Sequence, residues 1–221
     1  MYANRAESLT EGGTAPSTAA NAGAILAPYR AKQYEAGVKY DATHYGAALA
    51  VYQIKQPVAY TNSQTLEYAT DGIQRHRGVE LSGYGEPLKG VRLLGGVSYI
   101  DAKLLDTSGG TTDGNRPIGV PAWTANVGVE YDIPQLTGVT LTARAIYTGK
   151  QYLDEANTLP VAAWTRFDVG ARYKMQVYKH DTVFRLMVTN VANRAYWSSA
   201  LGGYLTQASP RTAWLSVTTD F

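Results

Sequence analysis

Histidines and carboxylates are the side chains of this sequence that could hold a metal ion or transfer a proton. The three histidines, His44, His76 and His180, lie far apart and have none of the spacings typical of metal sites. The chain contains no cysteine, which excludes thiol catalysis, disulfides and cysteine-bound zinc. It also has no GxSxG elbow, no Walker motif and no dinucleotide-binding glycine motif. We therefore predict that the protein is not an enzyme and has no cofactor of its own.

The charge balance limits the kinds of partner. The 20 basic and 18 acidic residues leave a net charge of only +2, and no run of five basic residues occurs. A protein that binds nucleic acid through many phosphate contacts needs a strongly basic surface. The sequence therefore predicts no nucleic-acid partner.

Long β-strands must position the functional side chains, because apolar and polar residues alternate along most of the sequence. The alternation is clearest at 33–41, 123–132, 166–174 and 213–221. Weaker alternation marks Met1–Thr10, Gly46–Gln56, Gln74–Gly85, Val91–Leu105, Val139–Tyr152 and Thr182–Ala192. Most of these segments exceed the usual globular strand of about 5–6 residues and suit a tilted membrane-spanning strand of about 9–11. The predicted fold class is all-β, an antiparallel transmembrane β-barrel segment of about ten long strands.

The connections between these strands alternate in length. All nine prolines lie outside the predicted strand interiors, as expected for residues that cannot donate to a ladder. Short connections are predicted at 42–45, 86–90, 133–138 and 175–181, and long ones at 11–29, 57–73, 106–121, 153–163 and 193–210. Short turns at one end and long loops at the other are typical of outer-membrane barrels.

Other membrane signals do not occur in the sequence. It has no stretch of about 18 apolar residues, and Met1–Arg5 does not begin a secretory signal.

Tyrosine dominates the aromatic residues, with 17 Tyr against 3 Phe and 4 Trp, and many lie at predicted strand ends. Such positions favour the aromatic girdles of a membrane barrel, although tyrosine is also a good strand former in general.

Seven segments carry a family pattern: Gln33–Tyr40, Tyr52–Gln56, Arg75–Leu81, Val120–Asn126, Phe167–Tyr173, Val188–Trp197, and Pro210–Thr212 leading to Phe221. In this order and spacing they resemble the C-terminal half of the barrel of TonB-dependent siderophore receptors, with the ferrichrome and hydroxamate-type subgroup closest. The resemblance covers nearly the whole chain. The terminal pattern ending in Phe221 also resembles the signal by which the outer-membrane assembly machinery recognises its clients.

The resemblance implies a barrel of about 22 strands closed around a plug domain. Residues 1–221 would then form the last ten strands of that barrel, with the plug domain missing from this chain. The implied function is TonB-dependent uptake of a ferric siderophore across the cell outer membrane, with iron present only as part of that ligand. Implied partners are the ferric siderophore, the TonB complex acting through the missing plug, outer-membrane lipid and lipopolysaccharide. The chain alone is not expected to transport.

Two other interpretations remain open at this point. The first is a self-contained ten-stranded outer-membrane barrel that acts as an enzyme, such as a surface protease, or as an adhesin. The second is a soluble ligand-binding β-barrel, whose strands would place apolar side chains inward and polar ones in water.

Loop aromatics are the candidate ligand-binding residues, because the resemblance implies that loop aromatics meet the iron-loaded siderophore. Tyr60 and Tyr68 fall in one predicted long loop, and Tyr196, Trp197 and Tyr204 fall in the last one. An aromatic face can pack on an organic ligand while its hydroxyl or indole N–H bonds a carbonyl. Alternatively, these rings only pack the loops or touch lipopolysaccharide.

Period two also predicts which side chains face lipid and which face the barrel interior. The predicted lipid-facing residues are Ala125, Val127, Val129, Val169, Ala171, Leu215 and Val217, and the predicted inward residues are Asn126, Glu130, Asp168 and Arg172. Two charged groups are also expected to line the polar interior: Arg75 and Arg77 with Glu80, and Arg166, Asp168, Arg172 and Lys174. An Arg or Lys facing lipid near the midplane would cost about 2–4 kcal/mol.

Overall fold

Long antiparallel strands account for most of the chain in the computed structural model, which describes residues 1–220. The strands are β1 Tyr2–Thr10, β2 Tyr29–Asp41, β3 Tyr45–Thr61, β4 Tyr68–Leu88, β5 Val91–Leu105, β6 Trp123–Asp132, β7 Val139–Thr148, β8 Gln151–Tyr152, β9 Pro160–Val161, β10 Trp164–Val177, β11 His180–Thr189, β12 Trp197–Ser199, β13 Thr206–Gln207 and β14 Thr212–Thr219. Single-turn 3₁₀ helices lie at Ser108–Gly110 and Leu201–Gly203. Among the described residues, no helix is long and apolar enough to cross a membrane. Phe221, on which the assembly-signal prediction depends, lies outside the described residues.

One ten-stranded sheet contains all the long strands, in the order β1-β2-β3-β4-β5-β6-β7-β10-β11-β14. Each strand therefore pairs with the next long strand along the chain. The short strands form two separate hairpins in the loops, β8 with β9 and β12 with β13. The prediction of ten long antiparallel strands is confirmed.

The hairpin of β3 and β4 extends further than predicted. The connection predicted as a long loop at 57–73 consists only of residues 62–67, because both strands continue past the predicted ends. Pro57 and Pro87 consequently lie inside strands, which corrects the prediction that every proline falls outside them. At Pro57 the strand no longer pairs with β2, and Pro87 lies at a register shift between β4 and β5. Proline is tolerated at such sheet edges and irregularities.

The sheet register sorts the side chains of the strands into two faces. Residues directly opposite one another on neighbouring strands share a face. One line of opposed residues runs through Val38, Leu49, Leu81, Val97 and Ala125. We call this side of the sheet the apolar face. Its large side chains are exposed, for example Leu81 by 48%, and a continuous exposed apolar surface of this kind is typical of a membrane or protein contact.

The opposite side, which we call the polar face, carries most of the strand charges. All seven residues predicted to face lipid lie on the apolar face, and the four predicted to face inward lie on the polar face. The alternation therefore predicted the direction of these side chains correctly.

The prediction that Arg75 and Arg77 share the interior with Glu80 is wrong. In the unbroken pairing of β4 with β5, both arginines lie on the same face as Val79, while Glu80 lies on the polar face. β4 is 21 residues long, so its start at the long-loop end reaches beyond the apolar part of the sheet. Arginines on the apolar face at this level do not have to contact hydrocarbon.

The two ends of the sheet differ as predicted. At one end the hairpins are tight, and Tyr178 and Lys179 alone connect β10 to β11. Both residues have positive φ angles, 50° and 69°, as in the type I′ turns that match the twist of paired strands. The other end carries the loops 11–28, 62–67, 106–122, 149–163 and 190–211.

The sheet is open, because β1 and β14 are its two edges and do not pair with each other within the described residues. An edge strand in hydrocarbon leaves backbone N–H and C=O groups unpaired, at a cost of several kcal/mol each. A self-contained, closed ten-stranded barrel is therefore not the arrangement of this chain.

Candidate functional site

A charged network occupies the short-turn end of the polar face. The Arg92 guanidinium on β5 donates to the carboxylates of Glu130, at 3.0 Å, and Asp132, at 2.5 Å. The Thr140 hydroxyl on β7 donates to Asp132 at 2.7 Å. Arg172 on β10 donates to Glu130 at 3.3 Å. These contacts tie four neighbouring strands together on one face.

A second cluster joins the polar face to the last long loop. The carboxylate of Asp168, 5% exposed, accepts hydrogen bonds from Arg166 at 3.0 Å and from the backbone N–H of Asn190 at 2.9 Å. The Asn190 side chain donates to the carbonyls of Arg194 and Ser209, at 2.9 and 3.1 Å. The buried carboxylate therefore fixes the beginning of the loop between β11 and β14, and the Asn190 side chain joins that beginning to the end of the loop at Ser209.

Most of these charged side chains line a groove of about 790 Å³ on the polar face. Arg144 and Arg185 also line it, and Arg185 lies directly opposite Arg172 on the neighbouring strand. The volume lies within the usual range of small-molecule sites, about 300–1,000 Å³. Within the described residues, no three histidine or acidic side chains converge so that they could hold a metal ion. The groove can attract anionic or hydrogen-bonding groups through its guanidiniums.

Carboxylates in the long loops hold the loops in shape. Asp154 accepts from the Thr158 hydroxyl at 2.7 Å and from the backbone N–H of Leu159 at 2.8 Å. The Thr158 hydroxyl contributes most to lowering the pKa of Asp154 below its ordinary value. The backbone N–H and the hydroxyl of Thr107 likewise lower the pKa of Asp113. These hydrogen bonds give the long-loop end ordered turns in which a ligand could meet fixed side chains.

Tyr60 and Tyr68 lie in the extended β3–β4 hairpin and connect it to neighbouring loops. The Tyr60 hydroxyl donates to the carbonyl of Asp106 at 2.7 Å, which joins the hairpin to the loop after β5. The backbone of Tyr68 exchanges two hydrogen bonds with the Asn21 side chain, each of 2.9 Å. The Tyr68 hydroxyl also lies close to Gly13 of the first long loop. Both tyrosines therefore hold loops together.

Tyr196, Trp197 and Tyr204 lie in the last long loop, at a distance from the first pair. Strands β5, β6, β7 and β10 separate that loop from the β3–β4 hairpin in the sheet. The Tyr196 ring stacks on Trp164 with centroids 4.4 Å apart. Trp197 and Tyr204 are 45% and 79% exposed. The five candidate aromatics thus form two separate groups, and of the five only Trp197 and Tyr204 are exposed.

Several residues of the polar face were not singled out by the sequence analysis. Arg92 and Arg185 stand at polar positions of alternating segments, so their direction could have been predicted, although their partners could not. Asn190 lies within the segment Val188–Trp197 that carries the family resemblance, but its capping role depends on the return of the chain to Ser209.

An exposed apolar face, a polar face with paired charges, tight turns at one end and long loops at the other together define a segment of a transmembrane β-barrel. The family model described as TonB dependent receptor-like, beta-barrel, matches residues 1–191. The chain belongs to this family of outer-membrane β-barrel proteins. Its polar face therefore lines the barrel interior, and its apolar face contacts lipid.

Individual proteins agree with this assignment. The chain is 40% identical, over its whole length, to the ferrichrome receptor FcuA of Yersinia enterocolitica, of which it covers 30%. It is 33% identical over 82% of its length to the ferrichrome outer membrane transporter/phage receptor of Escherichia coli, covering 25% of that protein. The chain also superimposes on the crystal structure of BauA, the ferric preacinetobactin receptor from Acinetobacter baumannii, with a TM-score of 0.87 and 39% sequence identity. The match covers 99% of this chain and 34% of the BauA chain.

The chain thus spans about a third or less of the length of the relatives it matches. Those relatives are named as receptors and transporters, so the prediction that the protein is not an enzyme is confirmed by its family. The identities to two ferrichrome receptors also confirm the predicted resemblance to ferrichrome-type receptors.

Proposed function

We propose that residues 1–221 form the last ten strands of an outer-membrane receptor that imports a ferric siderophore. Uptake is driven by the TonB complex through a plug domain encoded outside these residues. The observation that carries the proposal is the single ten-stranded sheet, which matches a siderophore receptor over 99% of the chain at 39% identity. Iron is cargo held by the siderophore, and the receptor performs no covalent chemistry on it.

The substrate class follows from the relatives. Two of them are named for ferrichrome, and the solved receptor that shares 39% identity is named for ferric preacinetobactin. We infer a ferrichrome-type ligand first, with ferric preacinetobactin as the comparison ligand in any assay. The guanidiniums of the polar face support this role because they offer hydrogen-bond donors to an oxygen-rich ligand passing along the wall.

Trp197 and Tyr204 are the aromatic residues that we propose to contact the siderophore. Their rings are exposed at the long-loop end, where an incoming ligand arrives. The other three aromatics would act indirectly. The Tyr60 hydroxyl and the Tyr68 backbone already hold neighbouring loops. The Tyr196 ring already stacks on Trp164.

Transport is tested in a receptor-null strain grown without iron. The complete receptor that contains this chain should restore energy-dependent uptake of ⁵⁵Fe-ferrichrome, and a protonophore should abolish it. Residues 1–221 alone, behind an added signal peptide, should not restore uptake, because the open sheet cannot close around a plug. Energy-dependent uptake by residues 1–221 alone would overturn the proposal that they are part of a larger barrel.

Ligand contact is tested by measuring ferrichrome binding to the purified receptor. Trp197→Ala and Tyr204→Ala should each weaken binding about tenfold, as expected for exposed aromatic anchors. Tyr178→Ala is the matched control, because Tyr178 is 93% exposed but lies in a tight turn at the opposite end. Unchanged affinity in both loop variants would remove these residues from the binding site.

A further inference from the structure

The groove on the polar face has more positive than negative charge in its lining. Five arginines and three carboxylates line it, so the lining carries an excess of two positive charges when its one histidine is neutral. We call it the arginine groove, after Arg92, Arg144, Arg166, Arg172 and Arg185. A cleft whose lining is dominated by one sign of charge concentrates ions of the opposite sign.

Two of the carboxylates are already used by three of the arginines. Glu130 is shared between Arg92 and Arg172, at 3.0 and 3.3 Å. Asp168 pairs with Arg166 at 3.0 Å. The Nε atoms of Arg166 and Arg172 are buried without an acceptor. Hydrogen-bond donors in the groove therefore outnumber the acceptors that the described residues supply.

Arg144 and Arg185 have no carboxylate partner in the part of the chain that the structure describes. The third carboxylate of the groove, Glu86, accepts a hydrogen bond from the backbone N–H of Gly90 at 2.8 Å. Arg185 lies directly opposite Arg172, and like charges in that position are destabilising. Both Arg144 and Arg185 are exposed, so their guanidiniums are accessible from the groove.

The wall between these two arginines has room for a small ligand. Thr142 and Met187 lie on either side of Gly170, directly opposite it. Arg144 is two residues from Thr142 along β7, and Arg185 is two residues from Met187 along β11. Given strands about 4.8 Å apart and a rise of about 3.3 Å per residue, each arginine Cα lies roughly 8 Å from Gly170. An extended arginine side chain spans most of that distance, so the two guanidiniums can approach one ligand from opposite sides.

We propose that the arginine groove binds a small oxyanion, of phosphate or carboxylate chemistry, between Arg144 and Arg185. The proposal rests on the proposed function, because it requires the polar face to line the water-filled interior of a larger barrel. Two oxygens of such an anion match the paired N–H groups of a guanidinium, and these charge-assisted hydrogen bonds are stronger than neutral ones. The oxyanion is either a free ion or an anionic group of the ligand that passes along the wall, and the test separates these two sources.

The test measures binding of inorganic phosphate to the purified receptor that contains this chain, by isothermal titration calorimetry in buffer of low ionic strength. The variant R144Q/R185Q removes the two unpaired guanidiniums. Both positions are exposed, so the variant should keep the folded, heat-modifiable band on gels. The control K89Q/K179Q removes the same number of positive charges from exposed positions in the tight turns.

Gly128→Asp is a second variant, which places a carboxylate inside the groove. Gly128 lies directly opposite Arg144, and a Cβ at this position would have no atom nearer than 3.8 Å. The new carboxylate should pair with Arg144 and take the place of the external anion. Gly128→Asn is its matched control, because asparagine has nearly the same size and no charge.

R144Q/R185Q and G128D should each bind phosphate at least about tenfold more weakly than the natural form, while K89Q/K179Q and G128N bind as the natural form does. Natural affinity in both R144Q/R185Q and G128D overturns the proposal. The absence of phosphate binding by the natural form also overturns it. In that case, a loss of stability in R144Q/R185Q would assign the two guanidiniums to carboxylates elsewhere in the receptor.

Binding of ferrichrome and of ferric preacinetobactin, with and without excess phosphate, identifies the source of the oxyanion. Competition by phosphate that disappears in R144Q/R185Q would show that the groove holds an anionic group of the ferric ligand. Phosphate binding through the two arginines without such competition would show that the groove holds a free ion. Either result supports an oxyanion site.

Uptake of ⁵⁵Fe-ferrichrome, measured with the same variants in the receptor-null strain, separates this proposal from the proposed function. A natural receptor that binds phosphate through Arg144 and Arg185 but lacks uptake would contradict the transport proposal alone. Normal uptake, together with equal phosphate binding by the natural form and R144Q/R185Q, would contradict the oxyanion site alone.

Discussion

The two faces of the sheet differ in how their charged side chains are paired. On the polar face, Arg92, Arg172 and Arg166 each have a carboxylate at 3.0 to 3.3 Å. On the apolar face, Lys32, Lys55 and Arg75 have none within the described residues. The buried carboxylate Asp168 is paired because an unpaired buried charge carries a desolvation penalty, whereas Arg144 and Arg185 in the groove have no carboxylate partner among the described residues. Lys32, Lys55 and Arg75 stand near the long-loop end of the apolar face.

This comparison teaches that paired and unpaired charges on one sheet have different roles. Paired charges on the polar face stabilise the barrel wall and attach the last loop. Charges on the apolar face, such as Lys55 and Arg75, stand at its long-loop end, beyond the level of Val51 and Val79. Four substitutions, three of them with a matched control, can break or sharpen this distinction in the receptor that contains this chain.

The largest effect is expected for Asp168→Ala on the polar face. Removing this buried carboxylate leaves the Arg166 guanidinium and the Asn190 N–H without their acceptor. We expect the free energy of unfolding in urea to fall by about 3–5 kcal/mol. Asp181→Ala, at an exposed position of β11, should change it by less than about 0.5 kcal/mol. Equal losses from both substitutions would show that burial does not distinguish them.

Val127→Arg adds a charge to the apolar face, whereas Asp168→Ala removes one from the polar face. Val127 is 54% exposed on this face, and an arginine there should cost about 2–4 kcal/mol if the site is near the midplane. Loss of the folded, heat-modifiable band on gels would report the effect. Asn126→Arg places the same side chain on the polar face one residue away and should be tolerated. If Asn126→Arg were the more damaging substitution, the assignment of the two faces would be reversed.

Thr140→Val removes two hydrogen bonds of the polar network, because the Thr140 hydroxyl also accepts from Arg172 at 3.4 Å. The Thr140 hydroxyl donates to Asp132 at 2.7 Å, and its loss should cost about 1 kcal/mol of unfolding free energy. The control is Thr142→Val on the same strand and face, because the Thr142 hydroxyl is buried without a partner. That substitution should be neutral or slightly stabilising. A larger loss at Thr142 than at Thr140 would contradict the network as described.

The smallest effect on stability is expected for Asp101→Asn on the apolar face. Its carboxylate is 3.9 Å from Lys103, and both side chains are more than a third exposed. Such a pair contributes at most about 0.5 kcal/mol. A loss of about 1 kcal/mol or more in the free energy of unfolding would show that the Asp101–Lys103 pair stabilises the fold.

Much of the wall follows from the alternation of residues. The ten strands and the directions of Val127, Val169, Asp168 and Arg172 could be predicted, because side chains on a strand change face at every residue. The same rule placed Arg75 on the face of Val79, so the wrong expectation for Arg75 came from grouping nearby charges instead of counting positions. Loop aromatics were harder, because a loop side chain follows no period.

The residue sequence by itself determined that this chain forms long strands with one apolar and one polar face, since both are local consequences of period two. Only the tertiary structure decided which residues stand side by side. Register between strands brings Lys55 next to Arg75 and Arg92 next to Glu130, and it depends on turns and strand extensions that alternation does not specify. It also decided that Tyr60 binds Asp106 while Tyr204 stays exposed, because loop contacts depend on how neighbouring hairpins meet at the end of the sheet.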